Sequence, residues 1–302
     1  MTSTHETSLT AEQFADRVVA VLAATAIAPG LGHAADAAPQ GTLDGGSSLQ
    51  LYLMDGLLEA LEWANDGFGS DEAACMWLAG LRWHRLATGS FPDGAPEPRP
   101  RWLDEALAPL APGGIAPADP LDLSGLDHDA MGTVGRPHDA SADGPGVLAR
   151  AAVSALLPRV TPATTAKFAT DAAALTHGSR AATSAAAAAA MLVHRALSGA
   201  GVPGEKDAGT GEKGHAWDAL RAAVAAVAAA GRAHADPADA LADAAGTLCA
   251  RGRTPEAAFA GALLAAAHGT AALPADWESL TASADAIREM ARRWIRLTFG
   301  EG

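Results

Sequence analysis

Residues 43–61 read LDGGSSLQLYLMDGLLEAL, and this stretch decides the fold. Leu49, Tyr52, Leu53, Gly56, Leu57, Ala60 and Leu61 recur at steps of three and four, the spacing of one buried helical face. Ser47 or Ser48 can cap the first turn, because a side-chain oxygen there accepts an orphan backbone N–H. In front of that cap stand Gly45 and Gly46. A well-formed helix thus begins as if a polar site had been emptied out.

Working outward, the same periodicity recurs. It predicts helices over 10–28, 48–65, 70–87, 147–157, 161–175, 179–197, 215–231, 237–250, 254–268 and 277–297, with a short one at 103–110. Thr10 followed by Gln13 is a capping-box pattern, and Pro29-Gly30-Leu31-Gly32 closes the first helix. No convincing alternating strand and no fixed-period repeat occurs. Residues 1–9 read as a disordered N-terminus, 111–146 as a long irregular loop and 198–214 as a flexible loop. With no clear break in the helical pattern, the expectation is a single domain over 1–302.

Composition agrees. The 302-residue chain is 49% hydrophobic, rich in alanine, and has one tyrosine. Alanine is the best helix former, so an all-α fold is expected. The formal net charge of −14 repels phosphate backbones, which argues against a nucleic-acid partner. No apolar run reads as a membrane span, and the first residues lack the basic and apolar regions of a secretory signal. Cys75 and Cys249 read as two buried small hydrophobes. A cytoplasmic protein is the resulting expectation.

Five stretches form an ordered pattern. Residues 17–32, RVVAVLAATAIAPGLG, make a helix ending in Ala28-Pro29-Gly30-Leu31-Gly32. Asp44-Gly45-Gly46-Ser47 opens the next helix, and Asp55-Gly56-Leu57 follows. Residues 141–152 read SADGPGVLARAA, and 175–199 read LTHGSRAATSAAAAAAMLVHRALSG. Residues 251–277 read RGRTPEAAFAGALLAAAHGTAALPADW. In this order they resemble the ADP-ribosylglycohydrolase family, which includes the dinitrogenase-reductase-activating glycohydrolases and the J1-type crystallins. The family's corresponding motifs are Gly-Asp-Ala-Leu-Gly, Thr-Asp-Asp-Thr, a Gly-rich loop before Val-Met-Arg, a Thr-His junction, and Asp-x-Asp-x-Thr-Gly before a helix.

The resemblance implies a single-domain orthogonal multi-helix bundle. It also implies a pair of magnesium ions held by the paired Asp motifs. At those positions this chain has Gly45 and Gly46, then Gly252 and Thr254, with Glu256 at the later Thr and Pro29 at the first Asp. Hard divalent cations need carboxylate oxygens, and a two-metal site cannot be built from backbone alone. The expectation is therefore no metal, no cofactor and no catalytic residue: a pseudoenzyme that binds an ADP-ribosyl or nucleotide-like ligand, or a protein partner. Two other readings stand beside it. One is metal-free chemistry using Asp44, Glu256 or His177 as acid or base. The other is a structural, crystallin-like role.

Candidate ligand-binding residues are Asp44, Gly45, Gly46, Ser47, Ser48, Gly144, Pro145, Gly146, His177, Gly178, Thr254 and Glu256. The physical argument is that bare helix N-termini carry free N–H groups and partial positive charge, so they can hold ADP-ribose or another small anion without metal. His128 and His138, beside Asp127, Asp129 and Asp139, offer transition-metal donors, but a mobile acidic loop is the favoured reading. The tryptophans read as packing residues.

Overall fold

A computed structural model describes residues 9–31, 43–111, 115, 119–209 and 213–300. Twelve α-helices and no strand occur among the described residues. They are α1 Ala11–Leu31, α2 Gly45–Asn65, α3 Glu72–Thr88, α4 Trp102–Leu107, α5 Pro120–Leu126 and α6 Val147–Ala155. The rest are α7 Pro162–Ala174, α8 Arg180–Arg195, α9 His215–Ala233, α10 Pro237–Cys249, α11 Thr254–His268 and α12 Ala284–Phe299. The all-α expectation holds.

The central helices are α1 and α11, which pack on each other. Gly261 makes this close: a Cβ there would meet the Ala24 carbonyl at 2.9 Å. The two run antiparallel. Thr270, just past the end of α11, donates its N–H to Asp16 near the start of α1. Cys249, just before α11, lies 3.4 Å from the Pro29 carbonyl. α11 is buried on nearly every side, as its uniformly apolar sequence requires. α6 packs on α2, α7, α8 and α11, and so links the two halves of the core.

Several local expectations change. α1 continues through Pro29 to Leu31, and at mean hydropathy 1.5 it is long and apolar enough to cross a membrane. Its buried face against α11 marks it instead as a core helix. The Thr10–Gln13 capping box forms in both directions, at 3.0 and 3.2 Å. The 111–146 stretch is not all loop, since α5 lies within it, started by Pro120 with Asp119 as cap. The 198–214 stretch contains a short 3-10 turn, Glu205–Ala208. Residues 1–8, within the N-terminus expected to be disordered, lie outside the described residues. Cys249 is buried but Cys75 is only half-buried, and neither forms a disulfide.

One buried polar network ties α2, α3 and α4. Asp55 is fully buried and accepts from Arg82 Nη2 at 2.6 Å, Arg101 Nε at 2.9 Å and Trp102 Nε1 at 2.8 Å. Arg82 also bonds Asp104 at 2.7 Å, and Tyr52 donates to the same carboxylate. Burial disfavours the Arg82 charge, but Asp55 and Asp104 outweigh it and raise the pKa.

Candidate functional site

The start of α2 is the first surprise. Helix geometry begins at Gly45, so Gly45 and Gly46 lie in the first turn and Asp44 is the cap. Its carboxylate accepts the Ser47 N–H at 2.7 Å. Ser47 and Ser48 are therefore not caps, a correction to the sequence reading. Both are buried; Ser48 Oγ donates to the Gly45 carbonyl at 3.0 Å and accepts from Trp83 Nε1 at 2.9 Å. Asp outcompetes Ser here because a charged acceptor also complements the helix dipole.

The other helix starts repeat this theme. Glu256 is buried in the first turn of α11, 3.7 Å from Arg253, while Thr254 is half-buried beside it. Asp143 caps α9, accepting from the His215 and Ala216 N–H groups at 2.7 and 3.0 Å. At α6 the cap is Gly146, and a Cβ on it would lie 2.9 Å from Asp119 Oδ2 and 3.6 Å from Asp122 Oδ2. The starts that the sequence presents as bare thus carry the chain's own carboxylates. At α2 and α9 the carboxylate accepts the N–H groups that an external anion would take.

The sites expected from sequence are partly brought together. Gln50 of α2 donates to the Ala149 carbonyl of α6 at 3.1 Å, so the first turns of these two helices adjoin. Gly144 and His177 also meet: a Cβ on Gly144 would sit 3.0 Å from His177 Nε2. Gly178 packs against the Asp139 carbonyl with no room for a Cβ, so it serves a close backbone approach. Pro145 supplies the carbonyl that accepts the Leu148 N–H at 3.0 Å. α11 packs on α6 and α1, the helices that also pack on α2.

Around His177 stands the most organised polar cluster of the molecule. Arg150 reaches Asp122 Oδ1 at 2.7 Å, Thr176 Oγ1 at 2.5 Å and His177 Nδ1 at 3.0 Å. All four side chains are buried. Arginine only donates, so Nδ1 must accept, and the neutral ring carries its proton on Nε2. Burial first, and the Arg150 charge second, push the His177 pKa down to about 3. The Nε2–H is buried and finds no partner among the described residues. An unmatched buried donor costs about 1–3 kcal/mol, so an acceptor is called for there. Gly144, by lacking a side chain, lets the backbone pass close to that edge of the ring, where a Cβ would stand 3.0 Å from Nε2.

Arg150, Asp119 and Asp122 were missed as site residues. A signal existed for Arg150, an arginine inside the apolar run VLARAAV. None existed for Asp122, whose partners Arg150 and Thr176 lie 28 and 54 residues away.

The donors present do not fit a magnesium pair. Asp44 is engaged as a cap, Glu256 faces Arg253, and Gly45, Gly46, Gly252 and Thr254 bring no carboxylate. Among the described residues no three His, Cys, Asp or Glu side chains form a metal-binding group. The His128 and His138 rings stack at 3.8 Å, and His138 Nε2 bonds the Ala130 carbonyl at 2.9 Å.

No protein-family model matches the chain, and no curated protein matches it. Among solved structures, an ADP-ribosylglycohydrolase-related protein complex matches with a TM-score of 0.60 at 20% identity. The match covers 95% of this chain and 99% of that one. Over nearly its whole length, then, this chain has the all-α fold of an ADP-ribosylglycohydrolase-related protein.

Proposed function

We propose that this protein keeps the ADP-ribosylglycohydrolase-type fold without its dinuclear magnesium chemistry, and works by binding an ADP-ribosyl- or nucleoside-like ligand. The observation that carries this reading is the buried, unpartnered Nε2–H of His177 beside the bare backbone of Gly144. A ring or hydroxyl oxygen of a sugar would satisfy it. Asp119, over the first turn of α6, accepts hydroxyl protons well and repels phosphate. Recognition therefore runs through sugar hydroxyls, and any diphosphate lies away from the helix starts. Metal-free hydrolysis has less support: a histidine with a pKa near 3 is a weak base at neutral pH, and Asp44 and Glu256 are already engaged.

The test is calorimetric titration of ADP-ribose, adenosine and inorganic phosphate in EDTA. ADP-ribose and adenosine should bind saturably and phosphate should not. His177→Asn should weaken binding about tenfold, the worth of one buried hydrogen bond. Gly46→Glu, on the exposed face at the start of α2, should leave the curves unchanged. Added Mg²⁺ should change neither affinity nor the integrity of the ligand. Failure of both nucleoside ligands to bind at millimolar concentration would overturn the proposal.

A further inference from the structure

A second site lies away from the His177 cluster. The start of α1, the 157–162 connection and the ends of α8 and α12 enclose a cavity of about 480 Å³. Its wall is apolar, with Phe14, Leu157, Leu197 and Phe299 prominent. Its ionisable lining side chains are Arg159 and His194, with no carboxylate among them. In a chain of net charge −14, a cavity lined by basic groups alone is a local reversal of sign.

Two backbone irregularities converge on this cavity. Arg159 has φ +61, and it is the sole non-glycine residue with positive φ among the described residues. That conformation costs an L-residue roughly 1–2 kcal/mol. It holds the Arg159 guanidinium 5.1 Å over the Phe299 ring, where it donates to the Thr298 carbonyl. Arg159 makes no ion pair among the described residues. The second irregularity is the end of α8, where Gly199 at φ +84 breaks the helical geometry within Ala196–Ala200. This segment supplies Leu197 to the wall and Ser198 to the rim. A strained residue such as Arg159 persists where the surroundings over-determine it, and ligand sites are where such residues concentrate.

We infer that this cavity binds a small amphipathic carboxylate, its apolar body against Phe14 and Leu197 and its head on Arg159. The volume lies within the range of small-molecule sites. A guanidinium meets a carboxylate as a planar fork, which supplies orientation as well as attraction.

Octanoate is the probe and 1-octanol its uncharged counterpart, both titrated calorimetrically against the full chain. Octanoate should bind saturably, and octanol about tenfold more weakly, since a charge-assisted pair is lost. Arg159→Gly keeps the backbone without strain, so helical circular dichroism should be preserved while octanoate affinity falls to that of octanol. Leu197→Trp should fill the cavity and abolish both. The inference is overturned if octanoate fails to saturate at millimolar concentration. Equal binding of octanoate and octanol to the wild type, or unchanged octanoate binding in Arg159→Gly, would overturn it as well.

Discussion

Replacing Asp55 by alanine tests whether the buried network holds the first third of the fold together. Asp55 has no solvent exposure and accepts three hydrogen bonds, two of them from guanidinium groups. Removing it leaves Arg82, itself 3% exposed, with Asp104 alone. It leaves Arg101 with Glu62 at 3.0 Å, and the Trp102 N–H with nothing. Breaking one side of a buried ion pair costs about 3–5 kcal/mol. The remaining partners, and the partial exposure of Arg101, favour the lower half, so about 3–4 kcal/mol is expected. For a chain of this size that lowers the melting temperature by roughly 5–6 °C. Urea unfolding followed by circular dichroism would measure it. The double variant Asp55→Leu/Arg82→Met should recover more than about 1 kcal/mol relative to the sum of the single losses, because the uncompensated charge goes with its partner. A loss below about 1 kcal/mol for Asp55→Ala, or strict additivity in the double variant, would refute the reasoning.

Other outcomes follow from the same geometry. Gly56→Ala should raise helix propensity by about 1 kcal/mol, yet a Cβ there would meet the Cys75 carbonyl at 2.7 Å and Met76 Cα at 2.8 Å. Overpacking against backbone should win, giving a net loss of about 1–2 kcal/mol in urea melts; a stabilised variant would contradict the α2–α3 spacing. His177 is held neutral, with its pKa moved from 6.5 to about 3. Between those values the unfolded chain takes up a proton that the folded chain refuses, so this residue makes stability fall as pH drops from about 6.5 toward 3. Comparison of wild type and His177→Asn by chemical denaturation across that window should yield a shallower slope for the variant, by at most about 1.4 kcal/mol per pH unit. Asp143→Ala removes the cap shared by two backbone N–H groups of α9 and should cost about 1–2 kcal/mol, seen as faster amide exchange in the first turn of that helix.

What the sequence determined by itself is the secondary structure and its class. Alanine-rich runs with apolar residues at three- and four-residue steps have one low-energy solution, and the described helices follow those runs to within a few residues, except that α12 begins at Ala284 rather than 277 and α5 falls in the expected loop. The Thr10–Gln13 box was legible because both partners sit within one turn. The likeness of fold was legible too, and a solved ADP-ribosylglycohydrolase-related structure shares it over 95% of the chain. What only tertiary structure decided is how polar groups are matched. One carboxylate and two hydroxyls stood at the start of α2; Asp44 took the cap, while the distant Trp83 engaged Ser48. Arg150, Asp122, Thr176 and His177 come from two helices and a junction, and nothing local marks them as neighbours. The Arg159 cavity depends on Phe14 and Phe299 meeting from opposite ends of the chain. Periodicity records which face of a helix is buried; it carries no record of which buried group lies opposite, because that is set by packing between segments far apart in sequence.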